Sequence, residues 1–411
     1  MIAVCAVTLL ACPESYAATS GKCGENLTWT LDDEGNLKIT GSGPMQGYGI
    51  NGPWGSDVKT VTMSGGITSI GSNAFGSCYD LINVGIPNSV KIIGGAAFLD
   101  CRKLGSVTLP NELETIGGAA FRGCKSLKSI NISNSVTSFG RGVFFNCDSL
   151  ATVAVDMKII PDNAFDRLTG LKSVTMGGSV DTIGSYAFSG CRALTDVAIG
   201  GSVRLIGNSA FNECDSLKSI TIPQSVESIG NNAFSYCTGM KSATIGNSVK
   251  EIGNYAFNTC SAMTDLTIGY SVETIDNSAF ERCSALTSIV VYVVEPPKCN
   301  GNVFDGVDTK TCVLKVPKQS MDKYKSTYPW SFFFNTTENE GVEDVVSGGD
   351  VRVRVADGAI TVEGVATDAV MEVYGVGGAS VYRGAVRAVD VPTPGVYIVR
   401  VAGVTAKVAV R

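Results

Sequence analysis

The sequence predicts a repeat solenoid, with a parallel sheet on one face and short helices or turns on the other, followed by a small C-terminal all-β sandwich. Ten phenylalanines recur every 23 residues, except for one step of 21 residues from Phe144 to Phe165. In nine of the ten repeats a cysteine follows three positions later. A fixed period in this range is typical of solenoids, whose repeats bury their apolar faces only against their neighbours. The period has ended by about residue 351, where short alternating strands begin.

One repeat is well represented by residues 217–237. Residues 217–222 have the apolar spacing L-x-x-I-x-I of a short strand with one face inward, and Pro223 ends it because proline cannot donate to a ladder. An apolar pair within residues 226–229 begins a return leg. Gly230 follows at a turn, and glycine at this phase indicates either a positive φ or a close approach of backbone. Residues 231–234 are interpreted as one helical turn that places the phenylalanine in the core.

Stacking of these units is predicted to build a rod with one aromatic column inside. Strands about 4.8 Å apart give a length on the order of 50 Å for ten regular repeats and a degenerate eleventh around Phe304. The column phenylalanines are Phe75, Phe98, Phe121, Phe144, Phe165, Phe188, Phe211, Phe234, Phe257 and Phe280.

Most of the fourteen cysteines share one phase of the repeat, and they are predicted to be buried free thiols. The remaining repeat has Leu168 at this phase, so the position accepts a hydrophobic side chain of moderate size. Without C-x-x-C pairs or histidines no metal site is predicted. Cys299 and Cys312 lie outside this phase, and the sequence leaves open whether they form a disulfide or are two ordinary cysteines of a cap. The nine column cysteines are Cys78, Cys101, Cys124, Cys147, Cys191, Cys214, Cys237, Cys260 and Cys283.

The repeat resembles the BspA-like (Treponema pallidum-type) leucine-rich repeats of bacterial surface proteins. Residues 225–237 and 248–260 carry the resemblance, with S-V-x-x-I-G-N-x-A-F-x-x-C in both copies. It extends over roughly residues 65–335, and the repeats themselves are assigned to 65–292. Similar segments flank the repeats in this family, which implies an N-terminal β cap over 18–64 and a closing cap over 293–335. Trp29 and Trp54 are expected in the core of the first cap.

The two ends of the chain are predicted to serve export. Residues 1–17 resemble a secretory signal peptide, with an apolar run followed by small residues. Lipidation at Cys12 is the alternative, and whether the start is truncated stays open. Residues 336–350 are predicted to be a linker. A small β-sandwich is predicted over 351–411, with the motifs V-Y-G-V-G-G at 373–378 and P-G-V-Y-I-V-R-V at 394–401. These motifs resemble the C-terminal sorting domain of type IX secretion substrates in Bacteroidetes, and a spacer domain is the alternative.

The composition excludes several functional classes. The chain has 411 residues, of which 44% are apolar, a net charge of −6 and no histidine. Negative net charge argues against a general nucleic-acid binder, and the lack of histidine removes the commonest general base and zinc ligand. No apolar run is long enough for a transmembrane helix. No cofactor is predicted, and the sequence does not determine the oligomeric state.

The strand face carries two columns of side chains that the core does not need. It is predicted to be hydroxyl-rich and faintly basic. Serine and threonine are also ordinary strand-surface residues, so a solvated face without a ligand is the alternative. The candidate binding residues are Lys128, Lys172, Lys218 and Lys241 in one column and Thr175, Thr221 and Thr244 in the other.

The preferred hypothesis is a non-catalytic cell-surface or secreted protein that functions in binding or adhesion, because solenoids present long surfaces to partners. The resemblance implies protein partners, either host extracellular matrix or other bacterial surface proteins. One alternative is a structural surface or spacer protein without a specific ligand. The other is a carbohydrate-active or hydrolytic enzyme, which needs convergent acids or a nucleophile with its base. The acidic residues here change position from copy to copy, which disfavours an enzyme.

Overall fold

A computed structural model describes residues 19–339 and the strands that follow them, at 352–356, 359–363, 369–375, 379–385, 389–390, 395–401 and 404–410. The predicted signal peptide, the alternative lipid site at Cys12 and most of the predicted linker lie outside the described residues. The chain divides into two compact units, Met1–Val180 with Tyr186–Thr195, and Asp181–Ser185 with Asp196–Arg411.

The first unit begins with three antiparallel strands, Ser20–Gly24, Leu27–Leu31 and Asn36–Pro44. The second and third strands form a hairpin around Gly35, which has a φ of 88°, and they pair in antiparallel register. The third strand then pairs in parallel with Thr60–Met63 and Gly66–Ile70. One strand therefore joins the antiparallel cap to the parallel solenoid.

Most coils contribute a first strand, called here the face strand, and each contributes a second, usually two-residue strand, called the return strand. The coil that contains the return strand Thr115–Ile116 has no face strand. In the first unit the face strands are Thr60–Met63, Asn83–Gly85, Ser129–Ile132, Thr152–Val155 and Ser173–Met176. The return strands are Gly66–Ile70, Ile92–Ile93, Thr115–Ile116, Ser138–Phe139 and Ile159–Ile160. Both sets pair in parallel, as the apolar spacing predicted.

The second unit also has face strands and return strands, and it ends in a cap with short helices. Its face strands are Asp196–Ala198, Ser219–Thr221, Ser242–Ile245, Asp265–Ile268, Ser288–Val291, Val313–Pro317 and Asn335–Asn339. Its return strands are Thr182–Ile183, Leu205–Ile206, Ser228–Ile229, Glu251–Ile252, Thr274–Ile275 and Lys298–Cys299. The cap contains 3-10 helices at Lys318–Ser320 and Trp330–Phe332 and an α-helix at Met321–Ser326. The strand Asn335–Asn339 includes residues assigned by sequence to the linker.

The segment that closes each coil is built from successive β-turns, so the helical turn predicted for residues 231–234 is wrong. The Ala233 N–H donates to the Gly230 carbonyl three residues earlier, at 3.3 Å. Asn232 and Tyr236 have φ values of 55° and 59°, in the left-handed region. A residue with this φ reverses the chain direction within one turn, which a continuing right-handed helix cannot do.

These turns add a third ladder of hydrogen bonds beside the two sheets. The Phe234 N–H donates to the Ala256 carbonyl of the following coil at 2.7 Å, and the Phe98 N–H donates to Ala120 in the same way. Hydrogen bonding on the turn side satisfies backbone groups next to the buried rings, where an unpaired group costs free energy. Where face strands, return strands and turns all pair, as for the coils around Phe234, a coil is thus fixed to its neighbour along three lines.

The predicted aromatic column is confirmed within each unit. In the second unit the Phe234 ring lies 5.2 Å from Phe211 and 5.1 Å from Phe257, with nearly parallel planes. In the first unit Trp54 stacks on Phe75 at 5.3 Å, and Trp29 packs edge-on against Trp54. Both tryptophans are buried, as expected for the core of the cap.

The glycine that begins each turn segment is required by close approach rather than by its φ. A Cβ on Gly140 would lie 2.1 Å from the backbone nitrogen of Gly118 in the preceding coil. No real Cβ tolerates this distance, so the coils stack this closely only where glycine is present. The residues in the left-handed region lie two positions further on, and most of them are not glycine.

The column cysteines are buried free thiols, as predicted. Most of these thiols donate toward a phenylalanine carbonyl of the preceding coil, for example Cys237 to Phe211 at 3.2 Å, whereas Cys78 donates toward the Gly55 carbonyl. Burial raises the pKa of the Cys78, Cys147 and Cys191 thiols to about 12. The protonated form is therefore retained at neutral pH, and the cysteines serve as small hydrophobic side chains with a weak donor.

The disulfide considered for Cys299 and Cys312 is absent, because both thiols are free. Cys299 lies on the return strand in register with Ile275. Cys312 directly precedes the face strand Val313–Pro317 and belongs to the other ladder. The two cysteines thus have the role of ordinary cap residues.

The C-terminal residues form two small antiparallel sheets with a common core, as the alternating pattern predicted. One sheet contains Arg352–Ala356, Ala359–Glu363 and Val389–Asp390, and the other contains Val370–Gly375, Ser380–Ala385, Gly395–Val401 and Val404–Val410. Ile360 and Val389 of the first sheet belong to one cluster of buried residues with Met371 and Val399 of the second. This arrangement is a β-sandwich.

Candidate binding surface

The outward side chains of the face strands in the second unit form ordered columns, called here the face surface. Ile220 points into the core while Ser219 and Thr221 are exposed, which follows from the two-residue alternation of a strand. Thr221 pairs in register with Thr244 of the next coil, and Thr244 pairs with Thr267. The hydroxyl column predicted by sequence is therefore continuous across three neighbouring strands.

Lys218 and Lys241 lie side by side at one edge of the face surface. Each directly precedes a face strand, and the Lys241 N–H donates to the Lys218 carbonyl at 2.7 Å. Both side chains are exposed, and neither ammonium group takes part in an ion pair among the described residues. The structure thus brings two of the predicted lysines together with two of the predicted threonines.

The other predicted residues belong to the first unit, where the basic column is interrupted. Ala151 separates Lys128 from Lys172, because the Ala151 N–H donates to Lys128 and the Lys172 N–H donates to Ala151. Thr175 is exposed and pairs in register with Ala154. The seven predicted residues therefore form two sets, and only the set in the second unit has adjacent lysines.

The return side of the second unit differs in charge, and sequence reasoning did not identify this feature. The Arg204 guanidinium lies 2.9 Å from the Asp181 carboxylate of the preceding coil and 3.9 Å from Glu227 of the following one. Oppositely charged residues recur there every 23 positions, with a last step of 25, and this is the signal that could have revealed the ladder. The ladder residues are Asp181, Arg204, Glu227, Lys250, Glu273 and Lys298.

This ladder makes the face surface the more available of the two sides for a charged partner. Charges that alternate along the stack compensate one another, so an approaching anion meets little net field on the return side. Lys218 and Lys241 repel each other slightly, and neither forms an ion pair among the described residues. The electrostatic attraction of the second unit for an acidic partner is consequently concentrated beside the hydroxyl columns.

Two clefts among the described residues are lined by one acidic residue each. A cleft of about 340 Å³ in the closing cap is lined by the acid Asp305 with Tyr328 and Phe332. A second cleft, of about 130 Å³, has Asp166 as its acidic residue. Neither cleft is lined by two acids, whereas acid–base hydrolysis of a glycoside uses a pair.

Among the described residues there is neither a candidate metal site nor a candidate membrane-spanning helix. No group of three cysteine, aspartate or glutamate side chains is placed to hold a metal ion there. No helix in this part of the chain is both long and apolar enough to cross a membrane.

The stacked coils, with a parallel face sheet and a turn side, define a β-solenoid of the leucine-rich repeat type. The BspA type leucine-rich repeat region matches residues 54–170 and 158–287, with six copies. These matches cover more than half of the chain, which therefore belongs to the BspA type leucine-rich repeat family. Solenoids of this type typically present binding surfaces rather than catalytic centres.

Solved structures similar to this chain are leucine-rich repeat proteins of bacteria. A protein from Bacteroides ovatus is 24% identical with a TM-score of 0.42, and the match covers 76% of this chain and 98% of that one. The Treponema pallidum leucine-rich repeat protein is 22% identical with a TM-score of 0.32, covering 46% and 86%. A leucine-rich cell surface protein from Faecalibacterium prausnitzii is 24% identical with a TM-score of 0.29, covering 59% and 93%. No curated protein matches the chain.

Proposed function

We propose that the chain is a non-catalytic, exported binding or adhesion protein that engages protein partners through the face surface of its second unit. The carrying observation is the adjacency of Lys218 and Lys241 beside the Thr221 and Thr244 columns. In-register strands make a broad platform, and its hydroxyl groups and ammonium groups are free to meet polar and acidic groups of a partner. Host extracellular matrix and other bacterial surface proteins are the partner classes proposed.

Export and surface location belong to the same proposal. The apolar segment within residues 2–12, followed by small residues, has the features of a secretory signal. Membership of the BspA type family is consistent with this location, because a solenoid that binds partners through its surface must be exposed to them.

The Lys218→Glu/Lys241→Glu double variant is expected to weaken binding to its partner by about tenfold or more, because attraction becomes repulsion at the edge of the contact. Binding would be measured against a panel of purified, immobilised extracellular-matrix proteins at low and high salt. Added salt is expected to weaken binding of the unaltered chain, since exposed charges are screened.

The matched control is Lys310→Glu/Lys325→Glu, which makes the same charge change at exposed positions of the closing cap. It is expected to bind like the unaltered chain. Equal binding by both double variants would reject the face surface as the contact. Failure of the unaltered chain to bind any protein in the panel would favour a structural spacer.

We also propose that the C-terminal β-sandwich is the sorting signal for export across the outer membrane. The two-sheet sandwich and the glycine-rich sequence at residues 373–378 support this role. A chain that lacks residues 351–411 is expected to stay inside the envelope of the bacterium that produces it. Surface proteolysis and cell fractionation measure its location. Unchanged surface exposure of the truncated chain would make the sandwich a spacer domain.

A further inference from the structure

The 21-residue step of the repeat shortens one loop of the first unit. Between Thr152–Val155 and Ile159–Ile160 the chain has three connecting residues. The preceding coil has five, between Ser129–Ile132 and Ser138–Phe139. The two residues missing from the period are therefore missing from the loop that joins the face strand to the return strand.

Neighbouring loops extend past this short loop and leave an open cleft. The Asn134 side-chain amide reaches Ser179, two coils away, with 3.4 Å between Nδ2 and Oγ. Beneath this contact the Asp156 carboxylate accepts a hydrogen bond from the Ser179 N–H at 2.8 Å. The cleft has a volume of about 530 Å³. Small-molecule sites in proteins usually measure about 300–1,000 Å³.

The floor of the cleft is apolar. Met157 and Val136 are buried at its base, and Pro161 is half-buried. Phe139 replaces the isoleucine that occupies this position in both neighbouring return strands, at Ile116 and Ile160. The Phe139 ring packs at a tilt against Phe144 and Phe165, with about 6 Å between ring centroids, and the side chain is only half-buried. Phe139 thus makes the apolar floor wider than an isoleucine at the same position would.

The rim of the cleft has one charged group, and that group is positive. Lys158 is exposed and has no ion-pair partner among the described residues. Thr137 and Ser138 add two exposed hydroxyl groups to the same rim. No carboxylate lines the cleft, since the side chain of Asp156 is turned to the Ser179 amide. Ile159 beside Lys158 is 54% exposed, although it is a large apolar residue.

We propose that this cleft binds an amphipathic monocarboxylate, such as a medium-chain aliphatic acid. The aliphatic chain covers Phe139 and Ile159 and removes their apolar surface from water. The carboxylate lies at the rim, where the Lys158 ammonium and the hydroxyl groups of Thr137 and Ser138 donate hydrogen bonds to it. This site is separate from the face surface and does not depend on the proposed adhesion function.

The test is calorimetric titration of the full chain with decanoate below its micelle concentration. Decanoate is expected to bind, while decyltrimethylammonium, which has the same chain and the opposite charge, is expected to bind at least about tenfold more weakly. Lys158→Glu is expected to weaken decanoate binding by about tenfold or more, and Ile159→Ser by several-fold. Both residues are exposed, so neither change disturbs the core.

Lys38→Glu is the matched control, because it removes an exposed lysine of the same unit outside the cleft. It is expected to leave decanoate binding within about twofold. The proposal is overturned if decanoate does not bind, if the cationic analogue binds equally well, or if Lys158→Glu and Lys38→Glu have the same effect. Any of these results leaves the proposed role of the face surface untouched.

Discussion

Replacement of Phe234 by alanine is expected to lower the free energy of unfolding by about 3–5 kcal/mol, as for other large-to-small changes in protein cores. The Phe234 ring is fully buried and stacks on Phe211 and Phe257. Its loss removes contacts with both neighbouring coils, and backbone bonds on three sides keep those coils from closing the gap. Denaturant unfolding of the full chain, followed by circular dichroism, measures the change.

Tyr236→Ala is the control in the same coil, because the Tyr236 side chain is 48% exposed. Its expected effect is small and comes mainly from the backbone, since Tyr236 has a φ of 59°. Equal stability of the Phe234→Ala variant and the unaltered chain would show that the aromatic column does not hold the coils together.

The second large effect is expected for Gly140→Ala, which adds a single methyl group at a point of very close approach between two coils. The new Cβ would lie 2.1 Å from the Gly118 nitrogen and 2.4 Å from its Cα. Backbone cannot move aside as a flexible side chain does, so the coils must separate locally and weaken their ladder. We expect a loss of about 2–4 kcal/mol, at or somewhat above the usual cost of overpacking.

Gly178→Ala makes the same chemical change where no atom lies within 4 Å of the added Cβ. It lies in the same unit, and its effect on stability is expected to stay within about 0.5 kcal/mol. Thermal and denaturant unfolding of the two variants side by side separates close approach from the general effect of replacing glycine. Identical losses would reject the close packing of coils at Gly140.

The periodic part of the fold could be predicted from sequence because each repeat encodes the same contacts. The spacing of Leu217, Ile220 and Ile222 gave the face strand, and the structure buries all three. The phase of the cysteines, with Leu168 among them, gave a hydrophobic column of free thiols. Agreement among many copies made these predictions reliable, since a chance pattern does not repeat at one phase.

The turn segments and the cleft could not be predicted in the same way. Left-handed φ values occur at Asn232 and Tyr236, and also at alanine, serine and arginine in other coils, so no residue type marks them. Stacking on the next coil stabilises this conformation, and that is a tertiary effect. The short step before Phe165 was visible in the sequence, but the exposed position of Lys158 beside Phe139 depends on the lengths of the neighbouring loops.

For the candidate binding residues, the position within each repeat could be predicted from sequence, but their neighbours in adjacent coils could not. Lys218 and Lys241 are adjacent because their repeats follow one another, whereas Ala151 interrupts the column between Lys128 and Lys172. The charge ladder of the return side was not predicted from the sequence. The structure reveals it, because Arg204 lies within reach of acids in both neighbouring coils.

Residue-resolved amide hydrogen exchange tests most directly whether the coils stack in register through backbone hydrogen bonds. In the second unit the N–H groups of Gly207, Gly230, Gly253 and Asp276 each donate to an isoleucine carbonyl of the preceding coil at 2.8–2.9 Å. We predict strong protection at these four amides, recurring every 23 residues. Exchange of all four at the rate of an unfolded chain would contradict the stacked solenoid.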